Sequence, residues 1–138
     1  IIGAFVSGMD AGKIYNSWPL MGNSFFPGDN VLINLFQISA LSDPSLVQFI
    51  HRNLAYFIGF FYLCIFFYVY KNKIKNLYKS LNVLGFFIIL QIILGIFTLL
   101  YGAQIIIASM HQISSIFLVS SCIYFLFINT KSNLQPSN

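Results

Sequence analysis

The sequence predicts an all-α protein, a bundle of helices that crosses a membrane several times. Of its 138 residues, 58% are hydrophobic and only 7% are charged, whereas a soluble domain carries roughly a quarter charged residues. Apolar segments of the length needed to cross a bilayer, about 20 residues each, follow one another along the chain. The three acidic residues are all aspartates, so the chain has no glutamate.

The first apolar run, residues 1–9, is too short to span a bilayer, because nine helical residues cover only about 13 Å. We expect it to be the end of a transmembrane helix whose beginning is truncated. Residues 10–46 then form a loop broken by glycine and proline, which we expect on the periplasmic side. Its four aromatic side chains before residue 30 suit either a belt at the lipid headgroups or a lid over a pocket. Within the loop, "VLINLFQISAL" predicts a short amphipathic helix at the membrane interface.

Residues 47–128 hold three predicted transmembrane helices, at 47–70, 81–101 and 104–128. The connection "KNKIKNLYKS" between the first two contains four of the seven basic residues. Because short loops rich in lysine stay in the cytoplasm, we expect this connection inside and the polar tail, residues 129–138, on the same side. The cluster also accounts for most of the +4 net charge, so the charge does not indicate a nucleic-acid partner.

The chain has only two histidines, His51 and His111, and both lie inside predicted spans that run from outside to inside. Their positions, four and seven residues from the outer ends, correspond to depths of about 6 and 10 Å. Ionisable residues inside a membrane are candidates for function. Small residues at helical spacing, such as Ala55 and Gly59 after His51 and Gly95 in the middle span, leave a slot for a flat ring system. They also permit plain helix packing.

Two imidazoles without a carboxylate or thiolate at the same depth make a poor zinc site, which needs four ligands. They do satisfy the two axial positions of a haem iron. The residues therefore predict a bis-histidine b-type haem, with His51 and His111 as the cofactor-binding residues and iron ligands, and they indicate no catalytic residue. We expect Arg52 to turn toward a haem propionate or toward lipid headgroups. A transporter or structural subunit whose histidines merely pack is an alternative.

Four segments carry a resemblance to a known family: "GAFVSGMDAGKIYNSWPLM", "LVQFIHRNLAY", "LGIFTLLYGA" and "MHQISSIFLV". They resemble the second half of haem A synthases of the alphaproteobacterial and mitochondrial type. The resemblance covers residues 3–128. It departs mildly from the family pattern at Met9, where leucine is usual, and at Ser17, where threonine is usual.

The resemblance implies an eight-helix protein built from two similar four-helix halves, each with a histidine pair. It implies that the second half binds haem b, while the first half oxidises a methyl group of haem O to the formyl group of haem A for cytochrome c oxidase assembly. In that first half a glutamate precedes the first histidine by three residues, whereas Gln48 occupies the corresponding position here. We therefore expect this chain to be the cofactor-binding half of an oxidoreductase and not a complete enzyme by itself.

The resemblance also implies partners and a location. The expected partners are haem O, met mainly by the missing half, membrane lipid, haem O synthase and an electron-transfer protein, with no nucleic acid. We expect a bacterial inner membrane, with the mitochondrial inner membrane as the alternative. A b-type cytochrome subunit that only transfers electrons has the same histidine chemistry, so it remains a second interpretation of the pattern.

Overall fold

The computed structural model describes residues 2–134 and confirms an all-α membrane protein. Three of its helices are long and apolar enough to cross a bilayer. The helices are α1 (Ile2–Gly8), α2 (Pro44–Lys71), α3 (Tyr78–Leu100) and α4 (Ile105–Leu134). A long loop connects α1 to α2, and short turns connect the others.

Two helices extend beyond the segments expected from hydropathy. Helix α2 begins at Pro44 because Asp43 caps it: its Oδ1 accepts a hydrogen bond from the Leu46 amide at 3.0 Å, and proline suits the first turn of a helix. Helix α4 continues through residues 129–134, which were expected to belong to the polar tail. No glycine or proline interrupts the sequence from 104 to 135. The rest of the expected tail, residues 135–138, lies outside the described residues.

The segment expected to form one amphipathic helix in the long loop forms two 3-10 turns instead, Leu32–Phe36 and Ile38–Ser42. Gln37 separates them in an extended conformation, with φ −95° and ψ 147°. Isolated helices shorter than about 12 residues are marginal in water. The expectation of a continuous helix was therefore wrong, although the segment does turn.

The core of the bundle lies near the lysine-rich connection, and we call this region the lysine end. Its buried side chains come from α2, α3, α4 and the connection: Val69, Leu77, Leu81, Leu84, Ile88 and Phe125. Tyr70 stacks on Tyr78 with ring centres 4.3 Å apart. Gly85 leaves room for the Tyr62 ring, whose hydroxyl donates to the Leu81 carbonyl at 3.4 Å.

The opposite end of the bundle contains both histidines, and we call it the histidine end. There α3 packs closely on α4, but α2 contacts α4 only sparsely. The long loop covers the first turns of α2, with Phe25 and Phe26 packed edge-on against Phe49 at 5.8 and 5.0 Å. Trp18 is 45% exposed. Two aromatic rings of the loop therefore pack on α2, whereas Trp18 keeps nearly half of its surface exposed.

Candidate functional site

The two histidines lie next to each other although 60 positions separate them in the chain. His51 is seven residues after the start of α2 and His111 six residues after the start of α4, so they lie about 10 and 9 Å along their helices from those starts. Their ring centres are 6.4 Å apart and their planes are nearly perpendicular, at 89°. Both side chains are partly buried. The structure therefore brings together the pair that the sequence singled out.

Helix α3 fixes the position of His111. The Gln91 side-chain amide donates to the His111 carbonyl at 3.1 Å and lies 3.5 Å from its Nε2. Ser114, one turn after His111, donates in turn to Gln91 Oε1. The Nδ1 atom of His111 is buried and has no hydrogen-bond partner in the described part of the chain. Buried polar atoms without a partner are rare, so this nitrogen is available to a ligand.

Glycines make close approaches to both imidazoles. A Cβ atom added at Gly95 would lie 3.1 Å from His111 Cε1, and one added at Gly3 would lie 3.6 Å from His51 Cε1. The sequence indicated Gly95 correctly. It indicated Gly59 wrongly, because that position faces Ile92, and it gave no signal for Gly3, which lies on a different helix.

Arg52 binds backbone carbonyls of the long loop. Its Nη1 donates to the carbonyls of Ser17 and Leu20 at 2.9 and 3.3 Å, and its Nη2 donates to the Tyr15 carbonyl at 2.9 Å. The same Tyr15 carbonyl accepts a hydrogen bond from Gln48 at 3.1 Å. In this structure Arg52 therefore faces the loop rather than the lipid headgroups, since the loop folds back over α2.

Asn16 connects the same part of the loop to α3. Its side-chain amide donates to the Leu99 carbonyl at 2.9 Å and to the Gly12 carbonyl at 3.0 Å. We call residues 11–20 the strap, because hydrogen bonds tie it to α2 on one side and to α3 on the other. Sequence patterns gave no signal for these contacts, because their acceptors are backbone carbonyls far away in the chain.

Asp29 ties the rest of the loop to the start of α2. Its carboxylate accepts hydrogen bonds from the Ser45 hydroxyl at 2.6 Å and from the Tyr15 hydroxyl at 2.9 Å. The hydrogen bond from Ser45 is the main reason that the pKa of Asp29 lies below its ordinary value. Burial, reinforced by the nearby Asp29, raises the pKa of Tyr15.

The side chains at the site that could bind a metal determine which chemistry it can support. Within residues 2–134 no three His, Cys, Asp or Glu side chains come together to hold a metal ion. Cys64 and Cys122 are free and exposed. Two imidazoles that bind one metal from opposite sides, each at about 2 Å, would place their ring centres about 6 Å apart, close to the observed separation of 6.4 Å. The pair thus fits a metal that carries its remaining ligands in a group of its own.

The helical spans define the class of protein: a multi-pass membrane protein, with two histidines close together between its spans. The sequence model of the cytochrome oxidase assembly protein family matches residues 1–123. The chain belongs to this family.

The chain is similar to proteins named heme A synthase. It is 42% identical over 133 residues to that of Pelagibacter ubique, covering 96% of this chain and 38% of the relative. It is 42% identical over 127 residues to that of Rickettsia felis, covering 92% and 37%, respectively. It is 40% identical over 131 residues to that of Rickettsia prowazekii, covering 94% and 39%. The chain thus spans under two fifths of the length of these relatives. No solved structure matches it.

Proposed function

We propose that this chain is the C-terminal, haem b-binding half of a haem A synthase, with His51 and His111 as the axial ligands of the iron. The observation that carries the proposal is the placement of the two rings, with centres 6.4 Å apart, between two different spans. Family membership and the names of the relatives support the wider assignment to haem A biosynthesis.

The residues at the site fit a haem better than they fit a bare metal ion. A haem iron takes four ligands from its own macrocycle and two from the protein, so two imidazoles complete its coordination. The unpartnered Nδ1 of His111 is consistent with a ligand at that ring. When bound, a haem supplies an iron that accepts and releases single electrons.

The residues of this chain bind and orient the group. Gln91 holds the backbone of His111, and Gly95 lets α3 approach its ring. Gln48 is buried one turn before His51 and bonded to the loop. An amide cannot take up or release a proton as a carboxylate does. We therefore propose that oxidation of the haem O methyl group belongs to the rest of the longer protein and that this half retains haem b as a cofactor.

The proposal extends to topology and partners. The lysine-rich connection faces the cytoplasm and the long loop faces the periplasm of a bacterial inner membrane, as the distribution of lysines favours. The histidine pair then lies in the outer leaflet. Haem O, haem O synthase and an electron-transfer protein are the proposed partners of the complete enzyme.

The test uses the full-length protein that contains this chain. We expect His51→Ala and His111→Ala each to abolish the low-spin b-type spectrum of this site, because one imidazole cannot fill both axial positions. Visible and electron paramagnetic resonance spectra of purified protein report the result.

Gln112→Ala is the matched control for that test. Gln112 is the polar neighbour of His111, but it is exposed and donates only to the Ser7 hydroxyl at 3.4 Å, so its spectrum should equal that of the parent protein. A low-spin spectrum that survives in either histidine variant would refute the ligand assignment.

A further inference from the structure

We propose that the strap, residues 11–20, sets the spacing of the two histidines, and that Arg52 and Asn16 are positioning residues at its two attachments. None of the hydrogen bonds and ring contacts described above joins the strap to either imidazole. Its effect on the pair would be indirect, through the helices to which it is bonded.

The attachment to α2 lies beside His51. Arg52 is the next residue in the chain, and its guanidinium binds three strap carbonyls. Gln48, on the same face one turn earlier, adds a hydrogen bond to Tyr15. Gln48 is only 2% exposed, so this contact is shielded from water. A hydrogen bond in such a buried place is stronger than one at the surface.

The attachment to α3 leads to His111. Asn16 binds the carbonyl of Leu99, which lies one turn after Gly95, the residue in closest approach to the His111 ring. Gln91, one further turn back on α3, binds the His111 backbone. A continuous series of contacts therefore runs from His51 through Arg52, the strap and α3 to His111.

Besides the strap, α1 lies near both histidines, with Gly3 against the His51 ring and Ser7 accepting a single long hydrogen bond from Gln112 on α4; other packing offers less control of the spacing. Helices α2 and α4 contact each other only sparsely. The described contacts between α2 and α3 in the core that lie nearest to His51 are at Gly59 and Tyr62, eight and eleven residues away, or about 12 and 16 Å. The strap is the connection between α2 and α3 that lies close to the depth of the histidines.

The chemistry of Arg52 suits this role. A guanidinium presents several donors in a rigid plane and can bind separate carbonyls at once, whereas the ammonium of lysine is a compact charge on a flexible stem. Arg52 forms no ion pair within the described part of the chain. Its positive charge is instead stabilised by the strap carbonyls, so the same contacts hold the strap and accommodate a costly intramembrane cation.

The experiment measures cyanide binding to the oxidised haem of this site in the full-length protein, because a well-positioned histidine pair excludes an external ligand. We expect Arg52→Lys and Asn16→Ala each to tighten cyanide binding by about three- to tenfold, as loss of one or two hydrogen bonds would allow. The double variant should show no more than the larger single effect, since detaching either end already frees the strap. Multiplicative effects would show that the two residues act independently and would overturn the proposal.

Two further variants guard against a trivial result. Gln48→Ala removes a strap contact without changing charge and should act in the same direction as Arg52→Lys. Asn53→Ala removes a hydrogen bond that lies within α2 alone, to the Phe49 carbonyl, and should leave cyanide binding unchanged. An Asn53→Ala effect equal to that of Asn16→Ala would mean that any nearby change loosens the site, and the proposal would fail.

The cyanide measurement rests on the proposed function, because it requires a bound haem. A second measurement is therefore chosen that does not require one. Spin labels at Leu54 and Ile113, both exposed and near the two histidines, report the α2–α4 distance whether or not a haem is bound. The distribution should broaden in Arg52→Lys and Asn16→Ala but not in Asn53→Ala. A parent protein without haem would refute the proposed function alone, while unchanged distances in both strap variants would refute the strap.

Discussion

The lysine end and the histidine end of the bundle are stabilised by different interactions. At the lysine end, apolar and aromatic side chains from α2, α3 and α4 close on one another, and six of them are buried in one cluster. At the histidine end, α2 is connected to the long loop by hydrogen bonds to the strap and to Asp29, and the loop also buries Leu46 and Val47 in the first turn of α2. Aromatic contacts with the long loop add to these.

This difference indicates how the bundle combines stability with room for a ligand. Close packing depends on side-chain volume, so adding or removing a single methyl group changes the stability of the protein. Directed hydrogen bonds instead fix positions while leaving space between the helices. We therefore expect substitutions in the cluster at the lysine end to change stability, and substitutions next to the two histidine rings to change the site with less effect on stability.

The largest expected effect comes from Gly85→Leu at the lysine end. An added Cβ would overlap the Tyr62 hydroxyl and lie 2.5 Å from Cζ of its ring, so the ring must leave the space it fills. Overpacking of this kind costs about 1–3 kcal/mol. Thermal unfolding of the protein in detergent should show a clearly lower midpoint, while the protein that stays folded keeps its histidine-site spectrum.

Gly59→Ala is the control, because its new Cβ would meet only Ile92, at an ordinary 3.9 Å. This substitution should leave the midpoint unchanged or raise it, since alanine favours helix by up to about 1 kcal/mol over glycine. If Gly85→Leu unfolds at the same temperature as Gly59→Ala, the lysine end is not the tightly packed region that we describe.

A smaller effect on stability, but a direct effect on the site, is expected from Gly95→Ala. The new Cβ would lie 3.1 Å from His111 Cε1, so the ring must shift by a few tenths of an ångström, while helix propensity offsets part of the cost. We expect changed electron paramagnetic resonance g-values for the low-spin haem with a nearly unchanged unfolding midpoint. The reverse pattern, normal g-values and a large loss of stability, would contradict the comparison.

The fold could be predicted from the sequence because its signals are local. Three apolar segments of spanning length need no knowledge of tertiary contacts, and the lysine cluster marks one connection. The predicted first and last residues of the helices were less accurate: the capping of α2 by Asp43 was missed, and α4 continues into residues expected to be a tail. In the long loop, hydrophobic periodicity favoured one helix, but Gln37 breaks the segment into two turns.

The histidine pair could be found because only two histidines occur and both lie at similar depth. Its surroundings could not, because they depend on which helix faces which. Gly3 approaches His51 from a separate helix, and Gly59, at the correct spacing along α2, faces α3 instead. Arg52 carries a charge that attracts several kinds of partner, and only the folded loop shows that carbonyls are the acceptors.

The smallest expected effect concerns the pH dependence of the long loop at the histidine end. The pKa of Asp29 is lowered from 3.8 in the folded protein, so its contribution to stability is fully present above that value and is lost as the pH falls through the lowered pKa. Tyr15 has a pKa raised from 10.0, so its contribution to stability is fully present below pH 10.0 and is lost as the pH rises through the raised pKa. The loop should therefore be most firmly attached between these limits.

Hydrogen exchange of residues 10–46, corrected for the intrinsic effect of pH, measures this attachment. We expect exchange to be slow at pH 6 and faster at pH 3, because pH 3 lies below 3.8 and toward the lowered pKa of Asp29, and a protonated Asp29 accepts less strongly from Ser45. In Asp29→Asn the difference between the two pH values should shrink, because the side chain no longer titrates. Asp10→Asn removes the exposed pair with Lys13 instead and should keep the full difference, since exposed ion pairs contribute little.

The effect is small because Asp29 is itself largely exposed, and exchange at the lysine end should not respond to pH at all. A loss of protection there at pH 3 would show that the two ends unfold together and are not held by separate interactions.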